Sequence, residues 1–138
     1  MSNPAASGGR ILPRMNELSL NPNNFLMFHG PFNQKHEIAV QLTNNLGRKV
    51  GWALKSTSMH RLSVKPPCGV LEPSETHTVT IGCEPFDFNT EDVNNDRVTF
   101  EWTPVPDSDQ NETHFKREWF QGECTLRRKN LPIDYART

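Results

Sequence analysis

Lys35-His36-Glu37-Ile38-Ala39-Val40-Gln41-Leu42-Thr43-Asn44 is the stretch that decides the fold class. Ile38, Val40 and Leu42 fall on one face and Glu37, Ala39 and Gln41 on the other, the period of two of a half-buried strand and not the 3.6 of a helix. Downstream, Asn44-Asn45-Leu46-Gly47 makes a turn, and Val50, Trp52 and Leu54 repeat the alternation up to Lys55, Ser56 and Thr57. Upstream, Leu18 and Leu20 precede Asn21-Pro22, and a short apolar piece, Phe25 to Phe28, precedes Gly30-Pro31. Leu62 and Val64 form a short strand stopped by Pro66-Pro67; with Cys68-Gly69 behind it the proline pair predicts a sharp bend, and a cis bond is admissible there. Further inward-facing rows are Val79, Ile81 and Cys83, then Val98, Phe100 and Trp102, then Leu131 and Ile133 within Arg127 to Tyr135. Thr90-Glu91-Asp92 opens at most one helical turn, and the spacing of Phe115, Trp119 and Phe120 predicts a short helix over Phe115 to Gln121. About seven short strands separated by turn signals predict an all-β, immunoglobulin-like, seven-stranded β-sandwich, with Trp52, Trp102 and Trp119 in or near its core.

The 138 residues suit one domain, read as residues 17–138 behind a Gly-, Pro-, Ser- and Asn-rich flexible leader at 1–16. A composition 34% hydrophobic and 22% charged, with a net charge of -1, excludes a disordered tail, a collagen-like fibre and a membrane-spanning chain, so no transmembrane segment is expected. The leader has no apolar run that reads as a signal peptide, so the expected location is cytoplasmic and the sequon Asn111-Glu112-Thr113 is expected to stay unmodified. Cys68, Cys83 and Cys124 are odd in number and far apart, and read as reduced thiols, not a disulfide framework.

No chemistry of catalysis or cofactor binding is signalled. His29, His36, His60, His77 and His114 lack zinc-ligand spacing, and Asp87, Glu91, Asp92 and Asp96 lack the glycine and alternating oxygen ligands of a calcium loop, so they read as a solvated turn. No nucleophile sits in a strained-turn motif and no Gly-rich loop cradles phosphate, so neither an enzyme nor a cofactor is expected. Arg127-Arg128-Lys129, with Lys116 and Arg117, has the basic and aromatic mixture of nucleic-acid sites, but the near-neutral whole argues for protein docking instead; no nucleic-acid partner is expected.

Three longer runs are more specific: KSTSMHRLSVKPPCGVLEP (Lys55 to Pro73), NTEDVNNDRVTFEWT (Asn89 to Thr103) and FKREWFQGECTLRRKNLPIDY (Phe115 to Tyr135). Over roughly residues 24 to 135 the chain resembles the nematode major sperm protein family. The resemblance implies an immunoglobulin-like sandwich with no enzymatic activity and no nucleotide, which forms dimers and filaments that drive the crawling of sperm. It implies as partners the chain itself, as a homodimer, and other major-sperm-protein-domain or filament-regulating proteins, in the cytoskeleton of the sperm pseudopod. Carried over, the segment from Phe28 to Ile38, with Lys35 and His36, contributes to a twofold self-association contact, and the C-terminal strand with Arg127, Arg128 and Lys129 is a receptor or docking strand. The chain departs from the family in its leader and in the polar, acidic loop Val105 to His114. Read as flexible, that loop would oppose regular packing through entropy and through repulsion among Asp107, Asp109 and Glu112, which favours a regulator of filaments over their bulk subunit.

More distant relatives of such domains are membrane-tethered proteins that bind acidic, phenylalanine-containing peptides with a Lys-Thr-Thr stretch and a Lys-x-Met pair. Residue by residue this implies a peptide-binding face of Lys55, Ser56 and Thr57 with Arg97 and Thr99, the last standing where an apolar methionine would anchor the ligand. The alternative function is therefore a monomeric adaptor or signal that binds short acidic peptides or a receptor.

Overall fold

The computed structural model describes residues 17–121 and 126–137, and the leader and Cys124 lie outside them. Alternation of apolar and polar residues yields strands β1 (Leu18–Asn21), β2 (Leu26–His29), β3 (His36–Asn44), β4 (Val50–Ser56), β5 (Leu62–Lys65), β6 (Cys68–Leu71), β7 (Thr76–Cys83), β8 (Arg97–Pro104) and β9 (Arg127–Ala136). They form a five-stranded sheet in the order β2-β9-β8-β4-β6 and a four-stranded sheet in the order β1-β3-β7-β5. All pairs are antiparallel except β9 with β2, which run parallel with Ile133 opposite Leu26 and Tyr135 opposite Phe28. The expected all-β sandwich is present.

Against about seven expected, nine strands are present among the described residues, and proline-marked breaks place successive strands in different sheets. Asn21-Pro22 separates β1 in one sheet from β2 in the other, and the Pro66-Pro67 bend likewise separates β5 from β6. Cys68-Gly69, expected at a bend, instead opens strand β6, Cys68–Leu71, which pairs with β4 from Val50 to Ala53. The peptides Asn21-Pro22, Gly30-Pro31 and Lys65-Pro66 are cis. Thr90 and Glu91 both donate backbone hydrogen bonds to Asp87 in a single turn, and the expected helix at 115–121 is one 3-10 turn, Arg117–Phe120.

The core lies between the sheets, with Val40, Leu42, Val79 and Ile81 from one packing on Val50, Trp52, Val98, Phe100 and Leu131 from the other, all essentially buried. Cys83 belongs to it, and burial raises its thiol to about 11, so it is inert at neutral pH. A second apolar cluster sits on the outer side of the five-stranded sheet, where Trp119 packs with Val70, Val105, Phe115 and Phe120. It has room because Gly51 has no side chain: a Cβ there would stand 2.6 Å from the Trp119 ring.

That cluster corrects the reading of the loop 105–114 as flexible. Arg48 donates to the Val105 carbonyl and to Asp107, each at 2.6 Å; Lys49 donates to the Glu112 carbonyl at 2.9 Å; the Trp119 indole donates to Asp109 at 2.7 Å. Two of the three acidic side chains thought to repel are thus paired within the chain, and Glu112 lies 3.5 Å from Lys116. Entropic opposition to assembly has no basis in a loop held at this many points.

Candidate functional site

Three places in the sandwich offer chemistry to a partner or to the fold. The first is the open half of the outer face of the five-stranded sheet. Lys55 lies directly opposite Thr99 on β8, so Lys55, Thr99 and Arg97 share that face, together with Glu101, Arg128 and Asn130. Glu101, with its side chain 10% exposed, receives Arg128 through two hydrogen bonds of 2.9 and 2.7 Å and lies 3.5 Å from Lys55. Thr99 is buried and donates to Asn130 at 2.7 Å, while Arg97 is exposed with no side-chain ion pair among the described residues. Ser56 and Thr57 do not complete this face. Ser56 stands opposite Val98, whose side chain is in the core, and the Thr57 hydroxyl bridges the Asp96 carboxylate at 3.1 Å and the Arg97 amide at 3.0 Å.

The basic run on β9 is divided by the same alternation. Arg128 points outward, but Arg127 shares the inward parity of Leu131 and Ile133 and is clasped by Glu17 at 2.8 and 3.0 Å, with 14% of its side chain exposed. Lys129, of the same inward parity, is half-buried. Arg127, Arg128 and Lys129 therefore do not present one docking surface.

The second place is the edge of β3. β1 covers it only from Gln41 to Asn44, and from His36 to Val40 the strand pairs with β7 on one side and with no strand on the other among the described residues. Of the side chains expected at a self-association contact, Ile38 is half-buried in this segment, and the His36 ring contacts the Pro31 carbonyl at 2.5 Å. Lys35 lies just before β3, 3.7 Å from Glu37 and 3.5 Å from Glu84. Phe28 is a correction: it is 1% exposed and stacked on Tyr135 at 5.9 Å, so it supports the core and offers nothing to a partner.

The third place was not legible as a site. Arg61, 2% exposed, donates to Asp96 at 2.6 Å, is ion-paired with Glu91, and lies over the Phe86 ring. Asp96 also accepts from the Tyr135 hydroxyl at 2.6 Å and from Ser58 at 3.0 Å. Burial alone would raise the Asp96 carboxyl, but the bonds from Tyr135, Arg61 and Ser58 outweigh it and hold the group below its ordinary range. Tyr135 moves up, through burial and then through Asp96. Of the acidic stretch expected as a solvated turn, Asp87 and Asp92 do make Asx-type bonds to Asn89 and Asn94, whereas Glu91 and Asp96 belong to this cluster. Its bonds are all internal, which makes it a clamp on the fold and not a binding surface.

Among the described residues no group of three His, Cys, Asp or Glu could hold a metal ion, and no helix is long and apolar enough to cross a membrane. A family model described as MSP (Major sperm protein) domain matches residues 17–124. The chain is 48% identical over 119 residues to Major sperm protein isoform alpha of Ascaris suum, covering 86% of this chain and 92% of that protein. It is 47% identical over the same length to Major sperm protein 2 of Onchocerca volvulus, with the same coverage. Among solved structures, WR4, an MSP family member of Caenorhabditis elegans, superposes with a TM-score of 0.64 at 14% identity, covering 87% of this chain and 98% of that one. At that identity the match speaks to the fold alone.

Proposed function

Since this chain belongs to the major sperm protein family, we propose that it is a non-enzymatic cytoskeletal or cytoskeleton-associated protein of nematode sperm that works by self-association in filament-based amoeboid movement. The observation that carries the reading is the uncovered edge of β3 from His36 to Val40. A strand with free backbone donors and acceptors on one side is a template for a further strand, and a second copy is the simplest occupant because a twofold axis satisfies both edges at once.

The side chains favour one register. If the axis passes beside Ile38, Glu37 of each copy lies opposite Ala39 of the other and His36 opposite Val40, so no like charges meet. Shifting the axis to Glu37 would set two carboxylates face to face. Ala39 is exposed, so its replacement tests the contact without touching the core. Ala39→Glu is expected to weaken dimerisation about three- to thirtyfold, from two new like-charge pairs, and Ala39→Lys to strengthen it by placing a cation opposite Glu37. Light scattering after size-exclusion chromatography over a concentration series reads both, and equal effects of the two substitutions would sink the register. Electron microscopy of the concentrated protein tests the further step to filaments.

The alternative of an acidic-peptide adaptor has less support. The cations it needs are partly spent on Glu101, and the residue that would anchor an apolar group is a threonine bonded to Asn130. Titration with a phenylalanine-containing acidic peptide is expected to give a Kd weaker than about 0.1 mM; low-micromolar binding that Arg97→Ala abolishes would reinstate the adaptor.

A further inference from the structure

Two aromatic features lie at the margins of the β3 edge, one a cavity and one a protruding ring. The cavity, of about 440 Å³, opens where β3 begins, between the segments 30–33 and 86–88, with Arg137 at its rim. Its aromatic lining is preorganised: Phe32 lies 5.2 Å from Phe86 and 5.3 Å from Phe88, centroid to centroid, and the Phe86 amide donates to the Phe32 carbonyl at 2.9 Å, which ties one wall to the other. The Arg137 guanidinium lies over Phe88 at 4.7 Å. Phe86 and Phe88 are half-buried within the chain, so the groove retains apolar surface in contact with water.

The protruding ring is Phe25, 46% exposed, and only Met59 joins it as an exposed large hydrophobic residue among those described. Phe25 follows the turn that leaves β1 at Asn21, and Asn21 is opposite Gln41 on β3. In the antiparallel pairing about Ile38, the shared segment ends where Val40 of one copy meets His36 of the other, because Gln41 is already held by Asn21, so Lys35 of the second copy comes up against the end of β1. The turn 22–25 of each copy then descends beside residues 32–35 of its partner, which lead out of the groove wall. Pro22-Asn23-Asn24-Phe25 carries no charge, so it approaches Lys35 and Arg137 without repulsion.

We propose that Phe25 of each copy seats in the aromatic groove of the other, against Phe32, Phe86 and Phe88 and under Arg137, so that the dimer is held by two reciprocal aromatic plugs flanking the paired β3 edges. The inference rests on the edge-pairing reading above. Ring-on-ring contact in a desolvated pocket is the kind of anchor that dominates an interface, whereas backbone pairing along five residues supplies direction.

The test uses the full chain in sedimentation equilibrium, with Phe25→Ser and Phe25→Leu beside the unsubstituted protein, and mild oxidation of a Phe25→Cys/Asn33→Cys double variant beside its single variants, which carry the same native cysteines. Expected are a rise of about tenfold or more in the dimer Kd for Phe25→Ser, a change within about threefold for Phe25→Leu, and a covalent dimer from the double variant alone. A dimer whose Kd is unmoved by Phe25→Ser and which gives no such cross-link overturns the plug and leaves edge pairing standing. A chain that is monomeric at every concentration overturns the edge-pairing reading, and the plug with it.

Discussion

Asp96→Ala is expected to remove about 3–5 kcal/mol from the free energy of unfolding, because it leaves the Arg61 guanidinium buried without its one buried carboxylate partner among the described residues. Tyr135 and Ser58 lose their acceptor in the same step, and Thr57 its local partner. The pH dependence follows from the directions of the two shifts. Asp96 is held below its ordinary range in the folded state, so its contribution is fully present above about pH 4 and is lost as the pH falls through the folded value. Tyr135 is raised, so its contribution is present below about pH 10 and is lost above that. Urea titrations near pH 3, 7 and 10.5 should show stability falling at both ends, with Asp96→Asn flattening the acid side. A loss under about 1 kcal/mol for Asp96→Ala would show that Arg61 finds water or Glu91 sufficient.

Gly69→Ala is expected to cost about 2–3 kcal/mol through overpacking. Gly69 on β6 lies opposite Trp52 on β4, and a Cβ there would stand 2.7 Å from Cζ2 and 3.0 Å from Cε2 of the indole. Trp52 is 1% exposed and enclosed by both sheets, so it cannot swing aside, and either the ring leaves its rotamer or β6 separates from β4. Gly47, with no atom within 4 Å of its hypothetical Cβ, is the control, and Gly47→Ala should stay within about 0.5 kcal/mol. Thermal melts of the two variants decide the matter, and equal melting temperatures would refute the steric argument.

What could be read from the amino acids was what depends on near neighbours. The alternation of β3, β4, β7 and β8 is a local property, and their cores are as expected. The tethers of the loop 105–114 were not local: Arg48 and Lys49 precede it by more than fifty residues, and nothing within the loop announces them. Arg61 and Asp96 were hidden for the same reason, each resembling an ordinary solvated charge beside a strand end until the sandwich brings them together. The division of Arg127-Arg128-Lys129 was legible, since Leu131 and Ile133 fix the parity of β9 and hence of Arg127. Strand β6 was obscured by the prolines before it, whose turn signal outweighed a four-residue apolar piece.

The parallel pairing of β9 with β2 gives the chain a particular order of assembly. Leu26 meets Ile133 across more than a hundred intervening residues, and the place between β2 and β8 is filled by β9, which follows all the other described strands in the chain. A nascent chain that has made β1 to β8 therefore has a five-stranded sheet with its second strand missing, and β2 has nothing to pair with in that sheet. Completion of that sheet waits on β9, which can pair first with the nearer β8, and the closure entropy of the long loop must be met before its contacts with β2 form. The growing polypeptide displays unpaired strand edges throughout that wait, and the ten-residue strand β9 is what covers those of β2 and β8.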